Sequence, residues 1–510
     1  MNKQLLFLGF ILCTHAAWSQ QADSPIRRNL QTIDVWSQRN SVIKKDSLPP
    51  SLKLRQQTLE IPQNIISVSA ALLQQQGGLE LKDAARNASG VYFGYNSSPF
   101  DHSASIQIRG FAAYSLINGM PRHANYGAVL DDQALFESID FIKGPAGFVN
   151  SLGEASGTIN INTKTPGSRL LNIEATGGSF GLARIAVDAG SNVKAKGFSY
   201  RFNAAYQHQD SYLDLLQTNK YVVAPVLQYN FSERTFIQGE YDYIRGESLN
   251  GSDITKLRSK EDALHDRIGI NLNAATGLPK TFYQTQTMRL LFSHQFNDNW
   301  RIISQSQYTL APYKTWSLLS SETYTGVSFD NQGQTARLAS NTANGGKTFA
   351  SQVYVNGRFK TGSIVHDIII GGDITSSRDT LHTGFGLYTF PLYRDKLNYG
   401  VAADSVAILN PAMGSAFKNN LTYETAYFYD HIRLARKWLL AVGLRYTWYN
   451  NKTIQQASPA LKPKENLYSQ NALSPRAALT FLVDSSTSLY ALYDQSFLPQ
   501  SGLKAGGQIE

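Results

Sequence analysis

From about Leu170 onward the chain repeats one unit: a run in which apolar and polar side chains alternate, a turn, and another such run. Alternation is the period of a strand whose two faces meet different surroundings. Tyr200, Phe202, Ala204 and Tyr206 fall on one face, with Arg201, Asn203 and Gln207 on the other. Ile237, Gly239, Tyr241 and Tyr243 alternate with Gln238, Glu240 and Asp242. Met288, Leu290, Phe292, His294 and Phe296 alternate with Arg289, Leu291, Ser293 and Gln295. After the turn Asn297-Asp298-Asn299, Trp300, Ile302, Ser304, Ser306 and Tyr308 alternate with Arg301, Ile303, Gln305 and Gln307. Similar pairs lie at 348–360 and 364–376, 421–433 and 438–450, and 474–484 and 487–497.

A soluble β-sandwich also alternates, but its apolar face is core and favours Val, Ile and Leu. Here the apolar face is rich in aromatics near strand ends, and the other face carries Arg, Gln, Glu and Asp deep within the strands. That is the pattern of an outer-membrane barrel, lipid-facing outside and wet or plugged inside. Short turns alternate with long stretches such as 246–283 and 311–347, expected to be external loops.

Residues 51–165 read differently. Ser69 to Gly77 predicts a capped helix with a glycine stop, and Leu79 to Gly90 repeats the pattern. Short strands are predicted at 105–108, 136–142 and 158–162. Gly144, Gly147, Gly153 and Gly157 crowd the end of this α+β region. They fit neither G-x-x-x-x-G-K-[ST] nor G-x-G-x-x-G, and a strand-like run follows instead of a helix, so phosphate binding is disfavoured.

The first residues predict a secretory signal peptide over 1–19: a positive start, an apolar run from Leu5 to Cys13, and a small-x-small site at Ala17-Trp18-Ser19. Cys13 is the sole cysteine, so a mature chain has no disulfide, thiolate metal site or cysteine nucleophile. No later apolar run reaches the ~18 residues of a membrane-spanning helix. The net charge of +9 is scattered without a basic run, and no nucleic-acid partner is expected. No H-E-x-x-H occurs, and no enzyme is read here. The pairs Asp131-Asp132 and Glu261-Asp262 read as solvated loop.

Several segments of this α+β region carry a family resemblance. LKDAARNASGVYF, IQIRGF, LINGM and FESIDFIKGPAGFVNSLGEASGTININTKTP, in this order before such a barrel, resemble the plug of the TonB-dependent outer-membrane receptors, the siderophore-type branch in particular. The barrel segments HDIIIGGDIT, WLLAVGLRYTWY and SPRAALTFLVDSSTSLYALYDQSFLPQSG are similar too. Asn150-Ser151 stands where Tyr-Gly is usual in that family, and Ala155-Ser156 where Pro-Gly is.

The resemblance implies a mainly β fold, an N-terminal α+β plug followed by a transmembrane antiparallel β-barrel. The expected division is a signal peptide at 1–19, an extension at 20–50, a plug at 51–165 and a barrel at 166–510. The family's barrel has 22 strands; at the spacing of membrane strands about 14 fit here, so a truncated receptor, short of its last strands, is expected. Leu30, Gln31, Thr32, Ile33, Asp34, Val35 and Trp36 look like a TonB box, able to pair with TonB by strand addition. TonB, with its inner-membrane energising complex, would supply the work.

By the same resemblance the plug glycines, Gly110, Gly144 and Gly157 among them, allow close backbone packing. Arg109 would lock the plug to inward barrel carboxylates such as Glu240 and Asp242. Tyr92, Phe93, Tyr95, Phe100, Tyr114, Arg122, His123 and Tyr126 are candidate ligand residues, the aromatics for stacking on a chelate and Arg122 or His123 for an anion. The implied function is TonB-coupled import of a ferric siderophore by a monomer in the outer membrane of a Gram-negative bacterium. No cofactor or protein-held metal is implied, because the iron arrives chelated. Cobalamin, another metal chelate, an oligosaccharide, or a non-functional truncated receptor are the alternatives. An adhesin or ungated porin would need neither plug nor box, and a phospholipase barrel would need a Ser/His pair that is not found.

Overall fold

The computed structural model describes residues 50–53, 56–93, 106–122, 130–145, 156–212, 214–248, 278–320, 334–393 and 408–499. The signal peptide, the TonB-box segment 30–36, Gly147, Gly153 and Glu261-Asp262 lie outside them.

Among the described residues the plug contains eight strands: β1 (Asn64–Ser69), β2 (Val91–Phe93), β3 (Ile106–Ile108), β4 (Phe111–Ala112), β5 (Tyr114–Ile117), β6 (Met120–Pro121), β7 (Phe136–Lys143) and β8 (Gly157–Thr163). One sheet runs β1-β7-β8-β5-β6 and a second β2-β3-β4. Two short helices, α1 (Ala70–Gln75) and α2 (Leu81–Ala85), pack beside them. The Ser69 hydroxyl accepts from the Leu72 N–H and starts α1, and Gly77 at φ +67° follows its end. The second helix is shorter than its sequence pattern implied; it ends at Ala85, and a turn carries the chain to Gly90.

Packing explains two of the glycines. A Cβ on Gly157, at φ +148°, would overlap the Ile142 carbonyl of the paired strand β7. One on Gly119, at φ +75°, would strike the carbonyl of Ser51. Both are places where backbone meets backbone and only glycine fits.

Among the described residues thirteen strands form the large antiparallel sheet, each paired with its neighbour in sequence. They are β9 (Leu170–Gly177), β10 (Ala183–Gly190), β11 (Gly197–Asp210), β12 (Gln217–Ser232), β13 (Thr235–Ser248), β14 (Thr281–Gln295), β15 (Trp300–Ser320), β16 (Gln334–Thr361), β17 (Ile364–Tyr393), β18 (Leu409–Arg433), β19 (Trp438–Gln456), β20 (Lys464–Leu482) and β21 (Ser488–Asp494). Among the described residues β9 and β21 are not joined, so the sheet is an unclosed barrel wall. The predicted faces hold: Tyr200, Phe202, Met288 and Leu290 are exposed outward, while Asn203, Gln207, Gln238, Glu240 and Arg289 are buried inward.

The expected external loop at 311–347 is corrected. Strand β15 continues to Ser320 and β16 begins at Gln334. Strands β16 and β17 reach 28 and 30 residues, against the ~9–11 that cross a bilayer. The surplus stays strand because the neighbouring strand continues to satisfy its N–H and C=O groups.

Candidate functional site

The plug meets the inner wall along a seam of named hydrogen bonds, and the seam is the candidate functional site. Its apolar part is continuous with the plug core: Val68, Leu73, Ile106, Phe136, Phe141 and Ile161 join Ala205, Val222, Ala224, Ile244 and Tyr283 from β11 to β14. Around that patch the contacts are polar.

The most buried ionic contact starts at Asp132, which is 0% exposed. It precedes the one-turn helix Gln133–Leu135 and accepts from the Ala134 N–H at 2.9 Å. Arg184 of β10 grips its carboxylate with two nitrogens, at 2.6 and 3.0 Å. Lys220 of β12 adds a contact at 2.9 Å and also approaches Glu80 at 3.4 Å. Burial alone would raise the Asp132 carboxyl; Lys220 and Arg184 outweigh it and hold the group well below the usual carboxylate range. Asp131 caps α2 instead, accepting from the Leu81 N–H at 3.0 Å. The solvated-loop reading of Asp131-Asp132 is therefore wrong: both are buried, and they tie the plug to itself and to the wall.

Further along the wall, Glu240 accepts from the Thr163 hydroxyl at 3.0 Å and from Asn118 at 3.3 Å. The side-chain amides of Gln305 and Gln307 donate to the Asn118 and Pro121 carbonyls. Thr285 Oγ1 accepts from the Leu130 N–H at 3.2 Å. On the opposite flank Arg476 reaches Gln63 at 3.1 Å, and Arg433 pairs with Glu60. Inside the plug, Asn160 and Asn162 of β8 bond Asp140 of β7, at 3.3 and 2.7 Å, closing a buried polar ladder.

Arg109 does not make the expected lock. Glu240 and Asp242 are taken by Arg289, which stands directly across from Glu240 in the β13–β14 register and bonds both carboxylates. Arg109 lies exposed in the β3–β4 turn at φ +54°, its N–H donating to the Gly90 carbonyl at 2.8 Å. Its guanidinium is near the Lys143 amine, which burial and then this neighbour push down. Gly110 (φ +89°) shares that turn, and Gly144 (φ +87°) follows β7.

Of the ligand candidates, Tyr92 is exposed and bonds Gln107, whereas Phe93 packs on the plug core. The Tyr114 hydroxyl lies 3.4 Å from that of Tyr423 on β18, so Tyr114 belongs to the seam. Arg122 is buried, donating to the Leu130 carbonyl and lying 3.9 Å from Asp131, and burial pushes its guanidinium down. Tyr95, Phe100, His123 and Tyr126 lie outside the described residues. Among the described residues no cluster of His, Cys, Asp or Glu has the makings of a metal site.

Sequence reasoning missed Asp132, Glu80, Arg184, Lys220, Glu60, Arg433 and Arg476 as seam residues. Their signal was present for the wall: Arg184 and Lys220 occupy inward positions of alternating strands, where a cation needs a partner.

A plug held at many points to a polar inner wall, inside a sheet whose outer face is apolar, defines a plugged membrane barrel. Residues 57–158 match the TonB-dependent receptor plug domain and residues 225–507 the TonB-dependent receptor-like β-barrel; the chain belongs to the TonB-dependent receptor family. That is a family of transporters and receptors of the Gram-negative outer membrane.

It is 21% identical over 489 residues to the ferrichrome outer membrane transporter/phage receptor of Escherichia coli, covering 88% of this chain and 63% of that one. It is 21% identical over 388 residues to the metal-pseudopaline receptor CntO of Pseudomonas aeruginosa, covering 74% and 52%. The chain thus spans about half to two-thirds of the length of these relatives. Among solved structures, the open form of the ferric-catecholate import receptor Fiu of E. coli superposes with a TM-score of 0.75 at 18% identity, covering 90% of this chain and 73% of that one.

Proposed function

We propose that this protein imports a ferric siderophore across the outer membrane of a Gram-negative bacterium, using work delivered by TonB. The observation that carries this reading is the seam: an α+β plug bonded to the inner face of the wall by β10, β12, β13, β14, β15, β16, β18 and β20. A solute crossing such a wall needs the plug to move, and the outer membrane has no nucleotide supply to move it. The proposed division remains a signal peptide at 1–19, a TonB box at Leu30–Trp36, a plug at 51–165 and a barrel from 166. Tyr92, with the apical segments around it, is the proposed meeting place for the chelate, whose iron is cargo.

The resemblance to ferrichrome, ferrioxamine and ferripyoverdine receptors supports the ferric siderophore. The resemblance to a metal-pseudopaline receptor favours one second reading, a chelate of another metal. Deletion of residues 30–36 in the cells of origin tests the proposal. Uptake of radio-iron from a hydroxamate or catecholate chelate should cease while the receptor stays in the outer membrane. Uptake at the undeleted rate would overturn it; loss confined to nickel, cobalt or zinc chelates would move the assignment to the second reading.

A further inference from the structure

The four residues Pro50–Lys53 form a strap that precedes the plug sheet, and it touches both partners of the seam. Ser51 donates to Asn162 at 2.5 Å and accepts from Asn160 at 3.0 Å, and its carbonyl fills the space that Gly119 leaves open. Leu52 is fully buried against Leu116 and Ile142 of the plug. Lys53 points the other way, into the wall. Its Nζ donates to the Tyr427 hydroxyl at 3.2 Å and stands 4.6 Å from the Tyr427 ring centroid and 5.6 Å from that of Tyr354. Its carbonyl accepts from Asn356 Nδ2 at 3.0 Å.

The backbone at this residue is unusual. Lys53 holds φ +66°, a left-handed region that residues bearing a side chain enter only at a cost. Such a conformation persists where surrounding contacts over-determine it. Among the described residues, the charged and titratable groups named around the ammonium are Asp373, bound by Arg445 at 2.9 Å, and the phenols of Tyr354 and Tyr427, each on the wall. Asp367 and Tyr429 line a cavity of about 10 Å³ beside it, room for roughly one water.

We propose that Lys53 is the catch of this strap: a positioning residue that fastens the chain N-terminal to the plug onto the barrel wall, and the first described contact with the wall that a pull from the N-terminal side meets. The direction of pull rests on the TonB-coupled reading; the catch itself does not. The Lys53 side chain packed on the Tyr427 and Tyr354 rings, together with its buried hydrogen bond to the Tyr427 hydroxyl, holds the segment strongly enough to change its exposure about tenfold.

Burial pulls the Lys53 amine down to about 7, Asp373 raising it and Arg445 lowering it. The undocked amine keeps its proton to about its ordinary 10.5. Docking therefore strengthens as pH climbs through that window and is weakest below 7.

Thiol labelling of the full chain in outer membranes lacking TonB tests the catch. In a Cys13→Ser background, Leu52→Cys reports the strap and Ile161→Cys reports the plug sheet. Lys53→Met should raise labelling at Leu52→Cys by about tenfold at pH 8 and leave Ile161→Cys unchanged. With Lys53 in place, protection of Leu52→Cys, taken relative to Lys53→Met at the same pH, should grow from pH 6 to 9. A merely space-filling lysine would show no such difference. Equal labelling with and without Lys53, both reporters rising together, or a pH-independent ratio would each overturn the proposal. Labelling as expected in a chain that imports no siderophore would keep the catch and discard the import reading.

Discussion

The plug and the barrel wall use the same amino acids in opposite directions. In the plug, Leu73, Ile106, Phe136, Phe141 and Ile161 are turned inward and shielded, as in any soluble domain. In the wall, Leu290, Met288, Phe202 and Leu479 are turned outward, and Arg289, Glu240, Asn203 and Gln207 are buried. The wall's buried charges named here are tolerated because they find partners: Arg289 bonds Glu240 and Asp242 on the neighbouring strand, and Glu240 also meets Thr163 and Asn118 of the plug. The difference teaches where stability resides: apolar packing for the plug, lipid for the wall's outer face, and paired charges for the junction.

The largest effect is expected at the junction. Asp132→Asn leaves Arg184 and Lys220 facing an amide in a buried site, and losing one member of a buried ion cluster costs about 3–5 kcal/mol. Denaturant unfolding in detergent micelles, compared with Arg184→Met, measures it. The same site sets an acid response. Its folded value lies below the ordinary 3.8, so its contribution is complete above that pH and fades as the pH falls towards the folded value. Asp132→Asn should flatten that acid limb.

Core truncation in the plug comes close behind: Phe141→Ala removes a side chain that is 0% exposed, and costs about 3–5 kcal/mol. The matched truncation on the wall, Leu290→Ala, should cost no more than about 0.5 kcal/mol, because a lipid tail is as apolar as the leucine it touches. Comparable losses at both positions would break the comparison. Leu290→Arg falls between them, at about 2–4 kcal/mol if the position lies near the bilayer midplane and less towards the interface. Unfolding in liposomes reads out that depth.

How much was legible in the sequence follows from the same contrast. Lipid imposes a strict alternation, so the faces of β11, β13, β14 and β15 could be read residue by residue. Beyond the hydrocarbon nothing demands an apolar face. The strand segment Ser340-Asn341-Thr342-Ala343-Asn344-Gly345-Gly346 of β16 has loop-like composition for that reason, and only its pairing with β15 and β17 makes it strand.

Glycine motifs in the plug were legible because steric exclusion is local, as at Gly157. The seam was not, because which wall cation meets which plug anion depends on how two units dock. Arg109 carried the expected chemistry and faces Lys143 instead, while Asp132 looked like solvated loop and is the most enclosed carboxylate of the junction.

The central claim, that the seam must yield for a siderophore to pass, is tested most directly by a reversible bridge across it. The Leu130 N–H and Thr285 Oγ1 are 3.2 Å apart, so Leu130→Cys with Thr285→Cys, in the Cys13→Ser background, can be joined by oxidation or a short bis-thiol reagent. Radio-iron uptake from a hydroxamate or catecholate chelate that the undeleted receptor imports should be lost while the bridge stands and return when an oxidised bridge is reduced. Uptake at the same rate with the plug tethered would contradict the account.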